Sequence, residues 1–186
     1  MRIDAEFVEK YLELYDETQG VLPGRLEEFG RTYRDQGHLT RDDLYEIAYE
    51  SSTRSAYHVE RNPRGVCVEV TENVLALEEK ANGDDDGDDF SQIALLSALH
   101  GFKAPTASCV TTALAPERHA VVDTRVWASL ERAGHVEGRK ETFDAFDYVT
   151  MIDEIRGIAE TTGYTTAEVG YALFAHDYDV REGTLH

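Results

Sequence analysis

The residues best placed to do chemistry lie in one short stretch, Leu99-His100-Gly101-Phe102-Lys103-Ala104-Pro105-Thr106-Ala107, with Asp123 eighteen residues after Pro105. Apolar residues at helical spacing flank the stretch: Ile93, Leu95, Leu96 and Leu99 before it, Ala107, Val110 and Leu114 after it. A tight turn containing Gly101 would set the free backbone N–H groups of the following helix at a protruding tip. Such groups, aided by the helix dipole, bind a phosphate without any positive side chain. Pro105 suits the first helical turn, where its missing donor has no partner to lose. An ordinary helical hairpin that only packs has the same spacing. Lys103 at the tip can meet a phosphate or simply face solvent.

Other candidates are less pointed. Arg54, Arg61 and Arg64 gather charge near Tyr57 and His58, as a pocket lining or as surface arginines beside packed aromatics. Residues 82–89 read Asn-Gly-Asp-Asp-Asp-Gly-Asp-Asp. A calcium loop needs a bidentate Glu at its twelfth position, and counting from Asp84 that position is Leu95, so a solvated surface loop is expected. The seven histidines include no His-x-x-x-His pair, and Cys67 and Cys109 are too few for a cluster or an all-cysteine zinc site. Both cysteines sit among apolar residues and read as buried free thiols, and no metal or cofactor is expected.

Helices must position these residues. Asp4 can cap a first helix carrying Phe7, Val8, Tyr11, Leu12 and Leu14, stopped at Gly20. Pro23 opens a second with Leu26, Phe29 and Tyr33, closed by Gly37, and Thr40 to Asp43 has capping-box spacing before Leu44, Ile47 and Ala48. A helix from Thr53 must end before Asn62-Pro63. Val66 to Leu77 is rich in β-branched residues, yet Val70, Val74 and Leu77 share a helical face and no partner strand is visible, which favours a helix. Asp123 can cap a helix with Val126, Trp127 (a core residue) and Leu130, ended by Gly134. Two more helices are expected at Phe143–Glu160 and Thr165–His176, so the fold class is all-α.

Composition frames the partners. The 186 residues carry 18 Lys+Arg against 37 Asp+Glu, a net charge of −19. That balance opposes a generic coat for DNA or membranes. Only Lys10, Lys80, Lys103 and Lys140 are lysines, and an acidic, lysine-poor surface matches the style of salt-loving organisms. Between Phe90 and Arg132 four basic residues meet three acidic ones, so the deficit lies outside the hairpin segment. A DNA-facing surface and a buried segment both produce that pattern. No apolar stretch is long enough to span a membrane and the first ten residues lack a leader's basic start, so a cytoplasmic protein is expected.

The hairpin together with Val121-Val122-Asp123-Thr124-Arg125-Val126 resembles the helix-hairpin-helix DNA glycosylase superfamily, the endonuclease III and adenine glycosylase group. Members carry a Leu-Pro-Gly-Val-Gly-x-x-Thr-Ala hairpin and then a Val-Asp-Thr-x-Val type segment holding a catalytic aspartate. The close match runs from about Gln92 to Leu130. Three departures stand out. Lys103 replaces the second hairpin glycine, Pro105 stands where bifunctional members carry a Schiff-base lysine, and the iron–sulfur cysteines are missing.

The resemblance implies one domain over 1–186 with a two-lobed, multi-helix glycosylase-like fold. A core lobe would span about 40–130 with the hairpin at 99–107, and 1–39 with 131–186 would form the second. It implies monofunctional hydrolysis of an N-glycosidic bond on a base flipped out of duplex DNA. Asp123 would stabilise the oxocarbenium-like sugar or activate water, or serve only as an N-cap. Gly101, Phe102, Lys103, Thr106 and Arg125 would form the DNA contact, although Arg125 can instead pair with an acidic residue. The alternatives are a non-catalytic DNA-binding relative and an α-helical protein-interaction domain. Oligomeric state is left open.

Overall fold

A computed structural model describes residues 1–81 and 88–182. The chain is all-α: the described residues form ten helices and no strand. Helix α1 (Ala5–Gln19) starts where the Asp4 carboxylate accepts the Phe7 N–H at 3.1 Å, and it buries Val8, Tyr11 and Tyr15. Helix α2 (Val21–Gln36) begins two residues before Pro23, which falls in its first turn where no N–H partner is lost, and ends at Gly37, the expected stop. Helix α3 (Arg41–Ser51) opens with the expected capping box, in which Thr40 and Asp43 each bond the other's backbone N–H. Helix α4 (Thr53–Val59) stops ahead of Asn62-Pro63.

The β-branched segment is helical within α5 (Arg64–Ala81). Tertiary contacts override its strand preference: Cys67, Thr71 and Val74 form the buried stripe. The Thr71 hydroxyl accepts the Leu39 N–H at 3.0 Å, and its carbonyl accepts the Tyr33 hydroxyl at 2.5 Å.

Helices α6 (Asp89–Ser97) and α7 (Ala104–Leu114) form the hairpin, followed by α8 (Thr124–Ala133), α9 (Ala145–Thr162) and α10 (Thr166–Glu182). Every residue of α7 except Pro105 is buried, which makes it the central helix. Helices α2, α3 and α6 pack on α7, while α10 packs on α1, α8 and α9. Cys67 and Cys109 are buried free thiols, and Trp127 is buried with its indole N–H donating to the Gly138 carbonyl at 2.6 Å. No helix among the described residues is long and apolar enough to cross a membrane.

One expectation needs correction. The sequence predicts a solvated acidic loop through Asp89, of which residues 82–87 lie outside the described residues. Asp89 itself is buried at the first position of α6. There its carboxylate takes a bidentate pair from Arg156 of α9, at 2.5 and 3.1 Å. A like-charge run predicts solvation only while no counter-ion reaches it, and Arg156 lies 67 residues away in sequence.

Candidate active site

Asp123 caps α8 with one oxygen: Oδ1 accepts the Arg125 N–H at 2.8 Å and the Val126 N–H at 3.0 Å. Its Oδ2 has no hydrogen-bond partner among the described residues. The residue is half-buried at the edge of a cleft of about 370 Å³. Burial pushes its carboxyl above the ordinary value of 3.8, against the pull of the two backbone N–H groups and the Arg125 charge.

The segment leading to Asp123 is fastened to the hairpin. Ser108 of α7, fully buried, accepts the Val122 N–H at 3.0 Å and donates to the Pro105 carbonyl at 2.7 Å. Gly170 of α10 lets that helix close on the same segment, since a Cβ there would stand 2.8 Å from the Ala120 Cβ.

The hairpin turn is clamped by Asn62. Its side-chain oxygen accepts the His100 N–H at 2.9 Å, while its amide donates to the His100 carbonyl at 2.9 Å and the Val59 carbonyl at 3.0 Å. Gly101, at φ +88°, presses on α4, where a Cβ would meet the Ser55 carbonyl oxygen at 2.6 Å. Lys103 is extended at φ −128°, a conformation open to any residue, so a lysine is accommodated where the resembled motif has glycine. It is exposed and supplies no side-chain cap to α7, and the Ala104 and Thr106 N–H groups have no partner among the described residues.

Sequence-expected site residues separate into two groups. Lys103, Pro105 and Asp123 come together and line both the 370 Å³ cleft and an adjoining groove beneath Phe143 and Lys140. The Phe102 side chain lies in the core, leaving only its backbone near the tip. Thr106 is buried beside the cleft, its hydroxyl 3.3 Å from that of Ser51. Arg125 lies over the Phe174 and Tyr178 rings with its guanidinium 3.5 Å from buried Asp177. That carboxylate also meets Arg132 at 2.7 Å and Arg181 at 2.6 Å. Arg54, Tyr57, His58, Arg61 and Arg64 stand exposed and line neither the cleft nor the groove; Arg64 pairs with Asp42 at 3.0 Å.

The rest of the cleft comes from helices that sequence spacing did not connect. Tyr15 and Gln19 arrive from α1, Glu50 and Ser51 from the end of α3, Cys109 from α7, and Tyr171 and Phe174 from α10. A partial signal existed in the aromatic residues at one face of each terminal helix, but aromatic stripes mark ordinary core as well. Burial pushes the Cys109 thiol up to about 12, so it is an inert thiol rather than a nucleophile. Among the described residues no group of His, Cys, Asp and Glu is arranged to hold a metal ion.

A second polar cluster lies away from the cleft. His119, fully buried, bonds Glu78 at 2.9 Å through Nε2 and the Tyr148 hydroxyl at 2.8 Å through Nδ1. Gln92 donates to the same Glu78 oxygen at 2.9 Å, and Arg118 sits 3.5 Å from the other. Burial pushes Glu78 up, but His119, Gln92 and Arg118 outweigh it and hold the carboxyl at about 2. This cluster ties α5, α6 and α9 to the loop after α7.

Comparison with protein-family models, with curated proteins and with solved structures finds no match for the chain.

Proposed function

We infer that the chain is a helix-hairpin-helix DNA glycosylase-like protein that hydrolyses an N-glycosidic bond in duplex DNA. Its fold would be the two-lobed glycosylase arrangement, with a core of about 40–130 and a second lobe from 1–39 and 131–186. The observation that carries this is the state of Asp123: one oxygen locked by two backbone N–H groups, the other without a hydrogen-bond partner among the described residues, at the rim of a cleft shared with Lys103.

The roles follow from that placement. The Lys103 ammonium and the Ala104 and Thr106 N–H groups take up a backbone phosphate. The target nucleotide rotates into the cleft, where water is largely displaced. As the base leaves, positive charge grows on the sugar, and the unpartnered Asp123 oxygen stabilises it in a site of low dielectric. The cap fixes the carboxylate in advance, so little reorganisation accompanies the reaction. Pro105 has no amine to form a Schiff base, so a lyase step by that position is excluded and the reaction resembles the monofunctional branch, with water as the nucleophile.

A second role for the same hairpin, DNA binding without catalysis, draws on Asp123 already having structural work as an N-cap. One substitution separates the two. Asparagine caps helices about as well as aspartate, so Asp123→Asn removes charge and keeps the cap. Base release from duplexes carrying a panel of damaged or mismatched bases, in high salt, is expected to fall by about 10²–10³-fold in Asp123→Asn. Equal release by both proteins would sink the catalytic role, and absence of duplex binding at low salt by a folded protein would leave a protein-interaction domain.

A further inference from the structure

Outside the cleft, helix α4 turns a basic and aromatic face to solvent. Arg54, Tyr57, His58 and Arg61 are exposed and recur at intervals of three and four residues, so they share one side of the helix and of the turn that follows it. Ser55, Val59 and Asn62 make the neighbouring side, about a third of a turn away, and the hairpin lies against them. A Cβ on Gly101 would meet the Ser55 carbonyl oxygen at 2.6 Å and the Val59 side chain at 2.9 Å, and Asn62 bonds both backbone groups of His100. Ser52 and Ser55 also line the cleft with Lys103 and Asp123, so the exposed side of α4 begins beside the cleft mouth.

Charge singles this strip out on a chain whose net charge is −19. Between Thr53 and Gly65 three arginines and one histidine meet a single acid, Glu60, which lies about 100° round the helix from Arg61. Elsewhere carboxylates engage the arginines: Asp177 meets Arg125, Arg132 and Arg181, and Asp89 takes Arg156. Arg64, just past the strip, pairs with Asp42 at 3.0 Å. No described carboxylate pairs with Arg54, Arg61 or Lys103. A cation without an internal partner takes up a phosphate without breaking a bond of its own, and the guanidinium fork matches two phosphate oxygens at once. Tyr57, 65% exposed between the two arginines, adds a hydroxyl donor.

Resting on the glycosylase function proposed above, we propose that Arg54, Tyr57 and Arg61 form a second DNA-contact strip, which holds the phosphate backbone of the duplex flanking the flipped nucleotide. Seven residues of helix set the two arginines about 10 Å apart along the axis, close to three nucleotide steps of a duplex strand. Lys103 and the hairpin N–H groups hold the backbone at the target, and the strip holds the same duplex beyond it. Such point contacts suit an acidic protein. Its overall charge opposes long-range attraction, so affinity comes from neutralising phosphates one at a time.

The test is titration of a fluorescent duplex carrying one tetrahydrofuran site, at several salt concentrations. Arg54→Gln and Arg61→Gln should each reduce the slope of log affinity on log salt by about one, and the double variant by about two. Tyr57→Phe should weaken binding about threefold with the slope unchanged. Arg31→Gln is the control. It removes the same charge from α2, next to Gly30 at the far end of α7, and should leave the slope as in wild type. Circular dichroism and melting temperature establish that each variant is folded. A double variant with the wild-type slope, or a control whose slope falls as much, overturns the strip; the hairpin contact is read separately from Lys103→Ala. Tighter binding of the corresponding single strand, lost in Tyr57→Leu, also overturns it, because stacking on an unpaired base would then be the contact. A reduced slope in the double variant, with no base released by wild type, keeps the strip as a DNA contact and removes the hydrolysis. No duplex binding by folded wild type at low salt removes both.

Discussion

At the scale of single residues, Asp123 caps α8 and also presents a carboxylate oxygen, free among the described residues, to the cleft. A carboxylate held above its ordinary value by burial is unfavourable for folding and useful for catalysis. The sign is definite. A raised folded-state pKa contributes stability below the ordinary value of 3.8, and that contribution is lost as pH rises through the raised value. Asp123→Asn has nothing to lose over that range, so at neutral pH its melting temperature should equal or exceed that of wild type. A clear decrease would mean that the charge supports the fold and that its position reflects structure alone. In the proposed hydrolysis the ionised form would be the working one, so single-turnover rates should fall on the acid side with a midpoint above 3.8. The motif spacing made Asp123 and Lys103 legible in the sequence because both sit within one short, local segment. Tyr15, Tyr171 and Glu50 were not legible, since only tertiary packing brings α1, α3 and α10 to one cleft.

At the scale of elements, two joints hold the helices together, one at the hairpin and one away from the cleft. Asn62 clamps the hairpin, a role hidden in the sequence because the residue before a proline reads simply as a helix stop. Asn62→Ala should cost about 1–3 kcal/mol in denaturant unfolding, because the buried partner groups lose their bonds. Gly101 was legible as a turn residue, but its contact with α4 was not. Gly101→Ala should cost about 2 kcal/mol or more, since the φ of +88° and the approach to Ser55 both oppose a methyl group. The second joint is the Glu78–His119 pair. His119→Ala leaves a buried carboxylate with poorer partners and should destabilise by on the order of 3 kcal/mol. The Glu78 contribution is fully present above the ordinary carboxylate value of 4.5 and is lost as pH falls through about 2. In Glu78→Gln the decline in stability over that acid window should be shallower. Helix ends such as Asp4, Thr40 and Asp123 were readable because capping is local, whereas Asp89 was misread because its partner is distant.

For the molecule as a whole, the net charge of −19 governs how it meets solvent and any anionic partner. Like charges repel within the compact state, and salt screens that repulsion over about 10 Å at 0.1 M and about 3 Å at 1 M. The melting temperature should therefore rise between those salt concentrations; a fall would show that the ion pairs on Asp177, Asp89 and Glu78 outweigh the excess charge. The proposed duplex binding would rest on short-range contacts at the hairpin. With Lys103 as its exposed cation, Lys103→Ala should reduce the slope of log affinity on log salt by about one. All-α architecture was evident from periodicity alone, since each amphipathic segment carries its own signal. How α7 became the buried centre was not evident, because burial on all sides depends on which helices surround it.

The most direct test of the central claim leaves the identity of the base aside. A duplex containing a pyrrolidine in place of one sugar presents a cation where the oxocarbenium would form; the matching tetrahydrofuran duplex presents the same shape without charge. An anionic Asp123 beside the sugar predicts about 100-fold tighter binding of the pyrrolidine duplex at neutral pH, with the difference lost in Asp123→Asn. Equal affinity of the wild-type protein for the two duplexes would contradict it.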